Sequence, residues 1–487
     1  MNPLCTRSAQ ELARAIRAGE VTSREVVEAH IDQCRRAAAV NAVVADRFEA
    51  ARREADAADA RLAQEGVDGL PPFHGVPCTI KESFALEGMP WTAGLVARKG
   101  VRAERDAPTV ARYRAAGLIP LGVTNTSELC MWFESDNRVY GRTHSAYDPA
   151  RTAGGSSGGE GAAVGVGAAP VGLGADIGGS IRMPAFFNGV FGHKPSGGLV
   201  PNSGQFPAPV GEARTMCAVG PITRRAEDLY PLLKLLMGDD GEDDTVRPHP
   251  LGDPREVDVR ALTIIDVRDE ASLATRPVET CLLDAQERAV VALARRGATV
   301  VQRSIPTLRR AFDIWGATLH AANEVSFSEL LGNGQRLGGA RLLREAPRAL
   351  RELSEFTLPA VGLALAERLV DLAPGHARAM HEAGARLRAE LESLLSSNAV
   401  LLYPSHRRAA PPHRHPMLTF PDAGFTGIFN VMRFPVTQVP TGLDARVLPT
   451  GVQVVSAWGN DHLTLAVAQA LEADLGGWVP PPRWSLS

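Results

Sequence analysis

The stretch from Gly154 to Pro184, GGSSGGEGAAVGVGAAPVGLGADIGGSIRMP, constrains this chain more than any other part of it. Glycine loses more backbone freedom on folding than any other residue, so a run this rich in it is kept where the main chain needs positive φ or close approach to a ligand. Two serines stand out, Ser156 in the first glycine cluster and Ser180 in the second, 180 − 156 = 24 residues apart. A small-residue helix between them would let both clusters turn towards one point. Taken singly, each cluster is explained equally well by tight turns and helix packing, since short Gly/Ser motifs match often by chance.

The chemistry available to such a segment is specific. Backbone N–H groups of Ile177, Gly178, Gly179 and Ser180 lie in a run that can converge on one anion, as an oxyanion hole requires, and each such donor is worth about 3 kcal/mol in a transition state. Ser180 would then sit within its own hole. A serine hydroxyl also needs a base. LPPFHGVPCTIKES carries a Pro-rich turn into a short strand pattern, Val76 to Ile80, that delivers Lys81. Enclosure in a dry pocket disfavours the charged ammonium, which is how a lysine becomes a base near neutral pH. For a lysine standing alone, a solvated surface cation is the ordinary reading.

Gly75 to Lys81 (GVPCTIK), Gly154 to Gly159 (GGSSGG) and Gly174 to Pro184 (GADIGGSIRMP) together resemble the signature of the amidase-signature family, with spacings of 156 − 81 = 75 and of 24 residues that suit its pattern. Similarity continues through TNTSELCMW, FFNGVFGHKPS, LLYPSH, FTGIFNV and PVTQVPTGL, from about residue 70 to the C-terminus. Within the family the chain is most similar to the type 2 fatty acid amide hydrolases, without the membrane-anchoring N-terminal segment of the animal members. The resemblance implies a Ser-cis-Ser-Lys triad that cleaves the C–N bond of amides through an acyl-enzyme: Ser180 attacks, Ser156 passes the proton on, Lys81 takes it. It places a non-proline cis peptide at Gly155–Ser156 or Ser156–Ser157, gives Ser157 a supporting role, and makes Asp176 and Arg182 a structural ion pair. Cys130 falls where the family lines its acyl pocket, and Met131, Thr152 and Gly155 are assigned to the same wall. No cofactor and no metal is called for.

The implied fold class is α/β, an α/β/α architecture with a central mixed, mostly parallel twisted sheet covered by helices on both faces. Residues 1–65 read as an N-terminal helical scaffold segment, since capping boxes Ser8/Glu11 and Thr22/Glu25 open two helices and residues 47–65 continue with an Ala-rich face. Residues 66–487 read as one catalytic domain, within which 305–420 is a variable substrate-selecting region rich in apolar positions such as Leu330, Leu331, Phe356 and Leu363. Aryl or fatty acyl amides suit that region, and esters and carbamates share the tetrahedral chemistry.

Lys plus Arg (52) nearly offset Asp plus Glu (55), so nothing in the charge balance favours nucleic acid, and a small-molecule substrate fits. Six dispersed cysteines with no C-x-x-C pair point to reduced thiols, and no apolar N-terminal stretch suggests export or a membrane anchor, so a cytoplasmic protein is expected, with a homodimer left open. Two other readings compete. Gly154 to Gly158 formally satisfies the G-x-S-x-G of an α/β-hydrolase, with His193 as its histidine, although the preceding YDPARTA is loop-like. A catalytically silent binding subunit of the same fold is the second. His406, His413 and His415 lie in a Pro-rich loop expected to be solvated rather than metal-binding.

Overall fold

The computed structural model describes residues 1–268, 270, 277–370, 374–395 and 398–485. Its main sheet is formed by β1 (Val43–Asp46), β2 (Val76–Lys81), β3 (Leu118–Thr124), β6 (Val171–Asp176), β7 (Phe191–Lys194), β8 (Ala218–Thr223), β9 (Thr263–Asp266), β10 (Thr299–Gln302), β11 (Ala399–Pro404), β12 (Val436–Leu443) and β13 (Pro449–Val455); the short β4 (Asp136–Asn137) and β5 (Gly141–Arg142) make a separate ribbon. The strand order is β1-β3-β2-β6-β8-β7-β12-β13-β11-β9-β10.

Apolar runs such as AVLLYP bury the inner strands on both faces, while β1 and β10 at the edges stay partly exposed. Successive side chains of a strand point to opposite sides, and β11 divides accordingly. Val400 and Leu402 join the core that also holds Val76, Ile80, Val171, Leu173 and the helix Asp461–Leu475. Ala399, Leu401 and Tyr403 join the opposite core, built with Phe186, Phe429 and the helices Ala311–Ala322 and Pro374–Leu394. Helices therefore cover both faces, and both expected capping boxes are formed.

The expected parallel majority is corrected: among the described residues β2·β3, β2·β6, β9·β11 and β9·β10 are parallel, and the other six neighbouring pairs are antiparallel. Connection length is the cause at β12 and β13, which are joined by the turn 444–448, too short for the crossover a parallel pair needs. Residues 1–65 also hold more than helices, because β1 pairs with β3 and sets this segment at the edge of the sheet. The Pro-rich histidine loop differs too. His406 and Arg407 are buried, and Arg407 Nε donates to both oxygens of Asp422 at 2.9 Å, so the loop packs inward instead of standing in solvent. No helix among the described residues is long and apolar enough to cross a membrane.

Candidate active site

Alternation along β2 aims the site. Val76, Cys78 and Ile80 enter one hydrophobic core, so Thr79 and Lys81 face the other side, towards the helix Gly158–Gly165. There Lys81, fully buried, donates from Nζ to Ser156 Oγ at 2.7 Å. The Gly155–Ser156 peptide is the cis one, the first of the two expected places. Packing around it is tight: a Cβ at Gly155 would come within 2.6 Å of Trp132 O and 2.7 Å of Glu134 N. Ser135 Oγ clamps the turn by donating to Ser156 O at 2.9 Å and accepting Gly158 N–H at 2.8 Å.

Between the two serines runs not a helix alone, as expected, but the helix Gly158–Gly165 followed by β6, which returns the chain to the same place. Ser157 joins the two clusters, its N–H donating to Ser180 O at 3.2 Å and its hydroxyl to Ala175 O at 3.3 Å. Lys81, Ser156 and Ser180 all line one solvent-open cleft of about 700 Å³. Among the described residues no hydrogen bond joins the two serine hydroxyls directly. Ser180 keeps 6 % of its surface exposed, on the cleft side.

Trans peptides point C=O and N–H in opposite directions, so anchoring one fixes the other. Trp315 Nε1 donates to Ile177 O at 3.0 Å and Thr426 Oγ1 to Gly178 O at 2.7 Å, which sets the amides of Gly178 and Gly179 away from those anchors. Gly179 departs from expectation: its N–H donates to Asp176 Oδ1 at 2.7 Å and is engaged. Amides of Ile177, Gly178 and Ser180 make no hydrogen bond to the protein among the described residues. Asp176 and Arg182 do pair, fully buried, with Nη2 2.9 Å from Oδ1 and Nε 3.0 Å from Oδ2. Burial would raise the Asp176 carboxyl, yet Arg182 outweighs it and holds the group far below the usual carboxylate range. Arg182 is in turn bound by Thr426 O, Gln453 and Asn430.

Of the residues assigned to the substrate wall, Cys130 and Met131 line the cleft, beside Leu129, Phe206, Leu319, Val325, Phe327 and Leu330. Thr152 and Gly155 do not. Thr152 is buried beneath the loop, where its hydroxyl accepts Gly154 N–H at 3.0 Å, and Gly155 is walled in by Trp132 and Glu134. His193 is no base for either serine, because its two nitrogens meet Thr437 Oγ1 at 2.9 Å and Asp461 Oδ1 at 3.1 Å.

Sequence reasoning missed Glu160. It is fully buried, accepts hydrogen bonds from Thr79 at 2.5 Å and Thr124 at 2.8 Å, and burial, only partly offset by those threonines and Lys81, pushes its carboxyl up to about 8. No sequence signal marks it, since its closeness to Gly172, where a Cβ would overlap the Glu160 carboxylate, arises only in the fold.

A mixed α/β fold brings a lysine and two serines into one cleft, and comparison with known proteins gives the family. The family profile described as Amidase matches residues 25–465, and the chain belongs to that amidase-signature family. It is 44 % identical over 99 % of its length to fatty-acid amide hydrolase 2-B of Danio rerio, covering 91 % of that protein, and 41 % identical to fatty-acid amide hydrolase 2 of Homo sapiens with the same coverage of both chains. A bacterial aryl acylamidase of the amidase-signature family superposes with a TM-score of 0.81 at 24 % identity, over 99 % of this chain and 98 % of that one, a likeness of fold. This protein is an amidase, a hydrolase of carbon–nitrogen bonds in carboxylic amides. Membership excludes the α/β-hydrolase alternative.

Proposed function

We propose that amide cleavage here runs through Ser180, Ser156 and Lys81. Ser180 Oγ attacks the amide carbonyl carbon while its proton passes through the Ser156 hydroxyl to Lys81 Nζ. The tetrahedral oxyanion is held by the N–H groups of Ile177, Gly178 and Ser180, with Gly179 left to orient Asp176. Collapse breaks the C–N bond, a proton returns through Ser156 to the leaving amine, and water hydrolyses the acyl-Ser180 ester by the same relay. The observation that carries the reading is the 2.7 Å hydrogen bond from Lys81 to Ser156 beside a cleft that also holds Ser180. Catalytic hydrogen bonds are often long in a free enzyme and close when substrate binds, which accommodates the open Ser156–Ser180 step.

The substrates proposed are aryl or fatty acyl amides, with esters and carbamates as further substrates. Apolar residues dominate the cleft wall, Leu319, Val325, Phe327 and Leu330 among them, and these four come from the 305–420 region read as substrate-selecting. The names of the type 2 relatives point the same way.

A panel of anilides, fatty amides and p-nitrophenyl esters tests both parts. Ser180→Ala is expected to lower kcat/KM for all of them by ~10³-fold or more. Lys81→Ala is expected to lower amide turnover at least about tenfold more than ester turnover, because only the amine must be protonated to leave. Equal losses on amides and esters in the Lys81 variant would contradict the relay.

A further inference from the structure

Where the segment 144–152 lies against the loop 410–414, three polar atoms form a closed triangle. His144 Nδ1 is 2.7 Å from Pro149 O and 3.0 Å from His413 Nε2, which is itself 3.0 Å from the same carbonyl. No placement of protons satisfies all three sides. A carbonyl oxygen carries no hydrogen, so with both nitrogens protonated two hydrogens face each other, and with one or none protonated at least one side sets lone pair against lone pair. A cation accepts all three lone pairs at once.

From this geometry we infer that His144, His413 and the Pro149 carbonyl bind a divalent transition metal of the Zn²⁺ class. Tetrahedral Zn²⁺ with bonds of about 2.0–2.1 Å sets two imidazole nitrogens roughly 3.3 Å apart, a few tenths of an ångström from the spacing found. Imidazole ligands select Zn²⁺, Ni²⁺ or Cu²⁺ over Mg²⁺ or Ca²⁺. A ligating histidine ordinarily gives its other nitrogen to a carboxylate or carbonyl. His413 Nδ1, buried without a hydrogen-bond partner among the described residues, has Glu134 Oε1 at 3.6 Å, and Glu134 is itself held by the Arg414 N–H at 3.0 Å.

No group of three or more His, Cys, Asp or Glu side chains converges as a metal set among the described residues. This set has two side chains and one main-chain oxygen, and water completes it. The other histidines of the loop are elsewhere, His406 edge-on to Phe187 and His415 beside Arg408. The metal would reinforce a seam already made by Thr152 N–H to Pro411 O at 3.0 Å and Arg151 Nη1 to Ala410 O at 2.6 Å, which leads directly into Gly154–Ser156.

The test is competition for Zn²⁺ between the metal-stripped full chain and a chromophoric chelator, with thermal unfolding in parallel. About one Zn²⁺ per chain is expected, weakened about 100-fold or more in His144→Ala and His413→Ala and ~10-fold in Glu134→Gln, with His415→Ala unchanged. Added Zn²⁺ should raise the unfolding midpoint of the wild type and leave that of His144→Ala unmoved. Should His413→Ala fail to fold, His144→Ala carries the test alone. Absence of saturable binding to the wild type, or binding by His144→Ala as tight as by the wild type, overturns the site.

Discussion

Glu160 is fully buried and hydrogen-bonded to Thr79, two residues before Lys81 on the same strand. Raised by burial to about 8, its carboxyl keeps its proton at neutral pH. A carboxyl whose proton leaves near 4.5 in the unfolded chain and about 8 in the folded one contributes stability that is present below the lower value and lost as pH rises to the upper. Between those values wild type should therefore lose up to about 5 kcal/mol relative to Glu160→Gln. Denaturant unfolding of both proteins at pH 5 and pH 8 measures this, and a pH-independent difference would show that Glu160 is ionised throughout. The serines and Lys81 could be found in the sequence because glycines and a strand terminus flank them. Glu160 could not, because one acid inside GGEGAA looks like any polar residue of a small helix, and its burial depends on Thr79 and Thr124, which are distant in the chain.

At the scale of elements, the site is a helix laid on three strands with glycines at the contacts. A Cβ at Gly159 would overlap the Asn125 main chain, and one at Gly172 the Glu160 carboxylate, so both positions let the helix Gly158–Gly165 approach β2, β3 and β6. Gly172→Ala is expected to lower stability by about 1–3 kcal/mol through overpacking and to lower amide kcat/KM with it, since Glu160 and Ser156 ride on the same helix and its preceding turn. Chemical denaturation and anilide kinetics on one preparation check the pair of effects. Unaltered values for both would mean the contact is loose. β2 and β3 were legible because their apolar runs have strand length and turn punctuation. β6, VGLGAD, was hidden, since alternate glycines remove the pattern on the face turned to the helix. Strand direction was equally hidden, because it follows from how connections run between strands and leaves no mark in the strand residues themselves.

Over the whole molecule three apolar clusters meet at the cleft, and Leu319 represents the one around Phe186 and Phe429. Ala175 comes from the core around β2 and β6, while Phe327 and Leu330 come from a smaller cluster built by residues 327–364 with Leu95 and Leu129. This wall was not legible beyond its apolar character, because its members are brought together only by packing. Leu330→Trp is expected to lower kcat/KM for long-chain fatty amides ~10–200-fold relative to acetanilide by shortening the cleft, the range a few lost methylene contacts allow. An equal effect on both substrates would place Leu330 outside the acyl path. The central claim concerns one oxygen atom, the Ser180 hydroxyl. Labelling the native chain with a fluorophosphonate and mapping the modified peptide by mass spectrometry should find the adduct on Ser180, at a rate reduced ~100-fold or more in Lys81→Ala. An adduct on Ser156, or on Ser180 at an undiminished rate without the lysine, would contradict it.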